Sequence, residues 1–254
     1  MSEVKPAHLF RTATTAVTYR QRFVAPEANL IFLNAGEFEL APGASSAEFS
    51  FPGRESLLYQ CKGTSVVTLR GVTYEMSAYD ILYIPRGEAF SISNPGAADS
   101  KLVHTSAPAE NSHPPFHSRF AEFSVNEDRI RHLKGKDVYL MFDVSEGADK
   151  LVAGYTFFQP YQRSWPPHNH TDQEEAYIFI KGHGSMEVYE APETLSFVHN
   201  VNEGDIVSIP FLNYHPVFSQ EDPLHFIWCI AGERYWVGDK NKDFMKGTAD
   251  SITT

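Results

Sequence analysis

Short runs of β-branched and aromatic residues recur along the chain, each bounded by Gly, Pro, Asn or Asp. Ser65-Val-Val-Thr-Leu69, Ile81-Leu-Tyr-Ile84, Glu175-Ala-Tyr-Ile-Phe-Ile180 and Asp205-Ile-Val-Ser-Ile209 are four of them. Runs this short with turn residues on both sides read as strands. Long stretches with apolar residues every three to four positions are scarce, so few helices are expected. Many short strands between frequent turns predict an all-β chain arranged as sandwiches or barrels.

The pattern occurs twice. Gly204 is followed by Pro210 and His215, and in the first half Tyr79, Pro85 and Phe90 stand at the same offsets. Pro85 and Pro210 lie 125 positions apart, and Gly63 and Gly182 lie 119 apart. Two copies of one module of domain size fit a chain of 254 residues. Between them Ser106-Ala-Pro-Ala-Glu-Asn-Ser-His-Pro-Pro115 reads as a linker, because prolines and small polar residues punctuate it. The expected division is 1–110 and 111–254. The charged segment from Arg119 to Lys136 reads as a short helix or an irregular crossover, and the polar tail from Lys240 as a fraying end.

An aromatic content of 13%, with 19 Phe, suits the filling of barrel interiors. The balance of 21 basic against 32 acidic residues leaves a net charge of −11, which sets the chain against phosphate backbones and hence nucleic acid. It does not forbid a small anionic substrate, because a few local cations override it. Cys61 and Cys229 cannot form a disulfide framework and fit a reducing compartment. The start, MSEVKPAHLF, lacks the apolar core of a signal peptide. No apolar stretch approaches the roughly 20 residues of a membrane span. The expectation is a cytoplasmic protein without a membrane or nucleic-acid partner.

The sharpest local signal is Pro166-Pro-His168-Asn-His170-Thr-Asp-Gln-Glu-Glu175. On a strand, alternation would place both imidazoles on one face. Glu175 opens the next apolar run after a polar turn, and His215 follows the Gly204…Pro210 unit. Three imidazoles and one carboxylate suit a first-row divalent ion and leave positions open for substrate. One divalent transition metal is expected, Zn or Mn first, with Fe, Co and Ni compatible. A His-x-His pair alone is common on surfaces; Glu175, Gly182 and the downstream unit lift this one above that background. Carried back by the repeat shifts, the four ligands fall on Phe49, Phe51, Ser56 and Phe90. Phenylalanine replaces each histidine, so the metal is expected in the second module only, the first being a structural half.

The spacing His168-x-His170-x4-Glu175-x6-Gly182, followed by Gly204-x5-Pro210-x4-His215, resembles the two signature motifs of the cupin superfamily. Gln162, Leu212 and Ser219 stand where those motifs usually have Gly, Gly and Asn, which bears on turn geometry rather than on the ligands. The chain as a whole is similar to the bicupin group that contains 5-dehydro-4-deoxyuronate isomerase and 5-deoxyglucuronate isomerase. The matching stretches include Asp80-Ile-Leu-Tyr-Ile-Pro-Arg-Gly87, the metal segment with Trp165 before it, Asn213-Tyr-His-Pro-Val217 and Phe226-Ile-Trp-Cys-Ile-Ala-Gly-Glu-Arg-Tyr-Trp236.

The resemblance implies two cupin barrels (double-stranded β-helix, jelly-roll) in tandem and a homo-oligomer. It also implies an aldose–ketose isomerase of an acidic hexose derivative, with a deoxyuronate of the 5-dehydro-4-deoxyglucuronate or 5-deoxyglucuronate type as first choice. An open divalent ion polarises a carbonyl and its neighbouring hydroxyl, the α-proton becomes acidic, and a base moves it through an enediolate. Three alternatives stand beside this: an isomerase of a sulfonated hexose, an Fe(II)-dependent dioxygenase on the same ligand set, and a non-catalytic sugar-binding bicupin. No nucleotide or flavin fingerprint indicates a redox cofactor.

Beyond the ligands, the catalytic candidates are Glu175, Tyr177 on the same strand face, and Arg234. The substrate-binding candidates are Arg163 and Arg234, whose planar forks match a carboxylate, and Trp236, which can wall a sugar. Lys181, His183 and Glu187 read as a solvated hairpin end, and Cys229 as a core thiol. His104, His113, His117, His132 and His199 have no ligand-like partners at useful spacing.

Overall fold

The computed structural model describes residues 4–11, 18–164, 167–191 and 193–234, and strands make up most of it. In the first half a six-stranded sheet runs in the order Phe116–Ser118, Ile81–Ile84, Arg54–Lys62, Ser100–Pro108, Asn34–Leu40, Tyr19–Phe23. A three-stranded sheet of Val72–Met76, Ser65–Leu69 and Phe90–Ser93 faces it. The second half repeats the plan. Its seven-stranded sheet runs His8–Phe10, Ile206–Ile209, Gln173–Lys181, Leu224–Gly232, Leu151–Phe158, Lys136–Phe142, Ile130–Leu133. Its three-stranded sheet is Thr194–Asn202, His183–Ala191, Val217–Ser219. The segment read as a helix or crossover holds one helical turn, Phe120–Phe123, a 3-10 turn at Glu127–Arg129, and the edge strand Ile130–Leu133. The chain is all-β, as two jelly-roll barrels in tandem.

Burial follows from what covers each sheet. In the small sheets one face meets water, so Ser65–Leu69 and the start of His183–Ala191 alternate between buried and half-buried residues. Gln173–Lys181 opens with seven buried residues in succession. Its odd positions, Glu175, Tyr177 and Phe179, share the barrel interior with Val207, Trp228 and Ile230. Its even positions, Ala176 and Ile178, join Cys229 and Ala231 in a core shared with Leu57, Tyr59, Tyr83 and Val103 of the first barrel. The seam between the barrels is therefore as apolar as either interior. Both cysteines are free thiols, and Cys229 is packed in this seam.

Two equivalent carboxylates fasten the seam. Glu55 accepts from the backbone N–H groups of Asp149 (2.8 Å), Lys150 (2.7 Å) and Leu151 (3.1 Å). Glu174 accepts from those of Ile31 (2.6 Å), Phe32 (2.8 Å) and Leu33 (2.6 Å). Each carboxylate thus ties down the entry to the matching strand of the other barrel. Two short strands also cross the expected division at residue 110. His8–Phe10 pairs with Ile206–Ile209 of the second barrel, and Phe116–Ser118 with Ile81–Ile84 of the first.

The repeat reaches into turn geometry. Gly63 (φ 68°) and Gly182 (φ 79°) are both left-handed, and a Cβ there would lie 2.5 Å from the carbonyl oxygen of Asp99 and 2.1 Å from that of Pro223. Only glycine permits that approach. Tyr79 (φ 70°) occupies the left-handed position of Gly204 (φ 88°), and Leu212 (φ 69°) that of Gly87 (φ 68°). The backbone bends alike in both copies even where the residue type has drifted.

Candidate metal centre

His168 and His170 lie on an extended segment just before Gln173–Lys181, not on a strand. The segment is held by His215 N–H donating to the His168 carbonyl (3.3 Å) and Leu212 N–H to the His170 carbonyl (2.7 Å). Leu212 sits in the left-handed region that favours glycine, and its carbonyl accepts from the Asn169 side chain (3.1 Å). The matching segment of the first barrel behaves alike: Phe49 and Phe90 exchange backbone hydrogen bonds of 2.8 and 2.9 Å.

These constraints gather His168, His170, Glu175 and His215, with one potential ligand atom of each within 4.8 Å of the others. Ring centroids are 5.1 Å apart for His168 and His170, 4.4 Å for His168 and His215, and 5.4 Å for His170 and His215. His170, Glu175 and His215 are buried, and His168 is half-buried. Burial, aided by the other two histidines, Lys136 and Arg131, holds the His168 imidazole neutral, its pKa well below the usual value. For Glu175, burial raises the pKa, yet contacts from His170 and His215 outweigh it and keep the carboxyl below its ordinary range.

The donor set tests whether a cation fits. His215 Nδ1 donates to the Asn213 carbonyl at 2.8 Å, which fixes the tautomer. In the neutral ring Nε2 then presents a lone pair. It lies 3.0 Å from Glu175 Oε2, is buried, and makes no hydrogen bond. His170 Nε2 is 3.3 Å from the same oxygen, and its buried Nδ1 also has no partner. Two buried acceptors, His215 Nε2 and Glu175 Oε2, turned towards one another repel unless a cation lies between them. The arrangement suits a divalent ion with N and O ligands.

Tyr177 shares this interior: its ring centroid is 5.5 Å from that of His215 and 4.6 Å from that of Phe226. Burial raises its pKa well above the usual value, so it stands as a neutral phenol. Arg234 is placed otherwise than the sequence suggested. Its guanidinium donates to the carbonyls of Leu151, Val144, Glu146, Ala148 and Asp143 and lies 5.7 Å from the Phe142 ring centroid. Those partners belong to the seam, on the opposite side of the sheet from Glu175, so Arg234 braces the junction and is not brought to the histidine cluster. Arg163 is exposed at the small-sheet rim, 4.9 Å from the Phe218 ring centroid. Trp236 and Trp165 lie outside the described residues. His183 sits beside Glu221 (3.3 Å) and Asp222 (3.8 Å) at the hairpin end.

Sequence reading passed over two cations. Lys136 and Val138 share a face of Lys136–Phe142 with Leu140, and that face looks into the second barrel's core. Arg131 stands opposite Val138 in the antiparallel register and so projects to the same side. Lys136 Nζ donates to Ser164 Oγ (2.9 Å) and lies 5.2 Å from the centroid of the Phe158 ring. Burial, with Arg131 nearby, lowers its pKa to about 8. The signal was available in the alternation of Arg131, Leu133, Lys136 and Val138 across a tight turn at Gly135, but charge density masked it as a crossover.

In the first barrel the equivalent interior is closed. Phe49, Phe51 and Phe90 pack with Phe38 and Tyr19, and Phe51 stacks on His104 at 4.1 Å. His104, read as unremarkable, is fully buried; its Nε2 is 3.0 Å from Ser56 Oγ and its Nδ1 3.3 Å from Tyr19 Oη.

The sequence profile of the KduI/IolB family matches residues 10–246. A 4-deoxy-L-threo-5-hexosulose-uronate ketol-isomerase of Shouchella clausii is 25% identical over 231 residues, covering 87% of this chain and 80% of the relative. Among solved structures, an IolB-like protein of Salmonella typhimurium superposes with a TM-score of 0.77 at 19% identity, over 93% of this chain and 98% of its own. The oxalate decarboxylase of Lactobacillus farciminis gives 0.69 at 16% identity, over 92% and 88%. These structural likenesses speak for the cupin fold.

Proposed function

The chain belongs to the KduI/IolB family, and we propose that it is a metal-dependent ketol-isomerase of a deoxyuronate, with 4-deoxy-L-threo-5-hexosulose uronate, the substrate named for its relative, as first choice. The observation that carries the reading is the buried His215 Nε2, tautomer fixed, facing Glu175 Oε2 at 3.0 Å without a hydrogen bond. His168, His170, Glu175 and His215 would hold one divalent ion, Zn or Mn first. When bound, that ion supplies Lewis acidity to a carbonyl and the hydroxyl beside it.

The chain's own groups do the rest. Of the four residues, half-buried His168 lies on the side from which a sugar would reach the cluster. The walls of Phe158, Phe226 and Tyr177 exclude water, so a proton removed from one carbon is kept for its neighbour. Tyr177, a neutral phenol with its ring centroid 5.5 Å from that of His215, is the candidate to donate a hydrogen bond to a sugar oxygen, because a phenol of raised pKa keeps its proton. The first barrel supports the second through the shared core, the division near residue 110 being crossed by one short strand in each direction. The sheet edge at Ile130–Leu133 and the exposed Leu195 and Val198 favour assembly into a homo-oligomer.

The test is isomerisation of 4-deoxy-L-threo-5-hexosulose uronate and of 5-deoxyglucuronate, followed by NMR, before and after chelation. Turnover that disappears with the metal and returns on adding Zn²⁺ or Mn²⁺ is expected. Metal-loaded protein that isomerises neither sugar, or that consumes oxygen instead, overturns the proposal.

A further inference from the structure

A protein of net charge −11 repels anions at long range, so a site for an acidic sugar needs cations of its own. The second barrel carries two in an unusual place. Arg131 and Lys136 project from neighbouring strands onto the barrel's inner face, through the register pairs Arg131↔Val138 and Leu133↔Lys136. Lysine and arginine seldom turn inward without a purpose, since desolvating a charge is costly. Lys136 is held there by a neutral hydroxyl, Ser164 Oγ, and an aromatic ring, Phe158. Among the described residues no ion pair with a carboxylate is formed by Lys136.

The direction is as informative as the charge. A row of rings runs from Lys136 to the histidine cluster: Phe158 meets Phe226 at 5.9 Å, Phe226 meets Tyr177 at 4.6 Å, and Tyr177 meets His215 at 5.5 Å between ring centroids. Both cations also act electrostatically on His168. The inner face of the second barrel therefore carries a coordinating group at His168, His170, Glu175 and His215, two cations at Arg131 and Lys136, and a row of aromatic rings between them.

We infer that Arg131 and Lys136 hold the carboxylate of the sugar while its carbonyl end lies at the histidine cluster. The inference deepens the ketol-isomerase reading and rests on it for the choice of a carboxylate. The ammonium of Lys136 offers a mobile point charge to the carboxylate, and the guanidinium of Arg131 adds its fixed positive charge beside it. Binding by both selects the acid over a neutral sugar of the same size and fixes which end of the chain meets the metal.

The experiment is calorimetric titration of metal-loaded protein with D-glucuronate and with D-glucose, for the wild type, K136M, R131M and K136R. The wild type should hold glucuronate at least about tenfold more tightly than glucose. K136M and R131M should each erase about tenfold of glucuronate affinity, with glucose binding and metal per chain unchanged. K136R should retain most of the preference, which a merely structural role for the lysine stem would not require. Equal affinity for both sugars in the wild type, or no measurable binding of either, overturns the inference, as does a preference untouched in K136M and R131M. A wild type that prefers glucuronate yet isomerises no deoxyuronate counts against the isomerase reading and not against the pair of cations.

Discussion

Single side chains decide where charge and protons can sit in this molecule. His215 is the sharpest case, because its Nδ1 is committed to the Asn213 carbonyl and only Nε2 remains for a ligand. Replacing it, as in His215→Ala, should lower metal affinity by more than about 100-fold, exceeding the usual loss of an outer-shell partner, as read by elemental analysis after dialysis. His104 makes a different prediction. Burial, with Arg54 nearby, depresses its pKa to about 3. The unfolded chain takes up that proton near pH 6.5 while the folded chain resists until about 3. Stability is therefore complete above pH 6.5 and declines as pH falls through that window. In thermal melts between pH 7 and pH 4, His104→Gln should show a shallower acid slope than the wild type. Matching slopes would exclude His104 as the source.

Elements are joined across the seam by a repeated device. Glu55 and Glu174 each receive three backbone N–H groups from the other barrel, and both are buried. Hydrogen bonds to a charged acceptor contribute about 1.5–3 kcal/mol each in net terms. Glu55→Gln, which loses the charge and turns an amide towards N–H donors, should destabilise the protein by about 2–3 kcal/mol in urea titration. Glu174→Gln should cost a similar amount. The two changes act on separate clamps, so their effects should add unless the clamps are coupled through the shared core.

At the scale of the whole molecule, the barrels are not beads on a string. His8–Phe10 completes the second barrel's sheet, Phe116–Ser118 the first's, and the largest apolar core draws residues from both. Calorimetry should record one unfolding transition rather than two. Removing residues 1–11 strips a strand and the Arg11–Asp205 ion pair (2.7 Å) from the second barrel. The melting temperature should then drop by roughly 5–10 °C, the scale expected for a loss of about 2–3 kcal/mol in a chain of this size. Among the described residues no helix is long and apolar enough to cross a membrane.

Sequence by itself determined the all-β architecture, the tandem repeat and the four side chains that meet at the histidine cluster. Those features are written in local periodicity and in fixed offsets from turn glycines and prolines, and Phe49 and Phe90, the projected counterparts of His168 and His215, are joined by backbone hydrogen bonds as that pair is. Tertiary structure alone decided the rest. Glu174 is drawn into the seam because alternate positions of one strand face opposite sides of a sheet covered on both, and Arg234 because the carbonyls of Asp143, Glu146, Ala148 and Leu151 that receive its guanidinium gather there. Arg131 and Lys136 face inward because an antiparallel register sets Arg131 opposite Val138 and Lys136 opposite Leu133 across a turn, a pairing that the density of charge in the segment masks. Which barrel a strand completes depends on contacts some two hundred residues apart, as between His8 and Ser208, and no local pattern encodes such a distance.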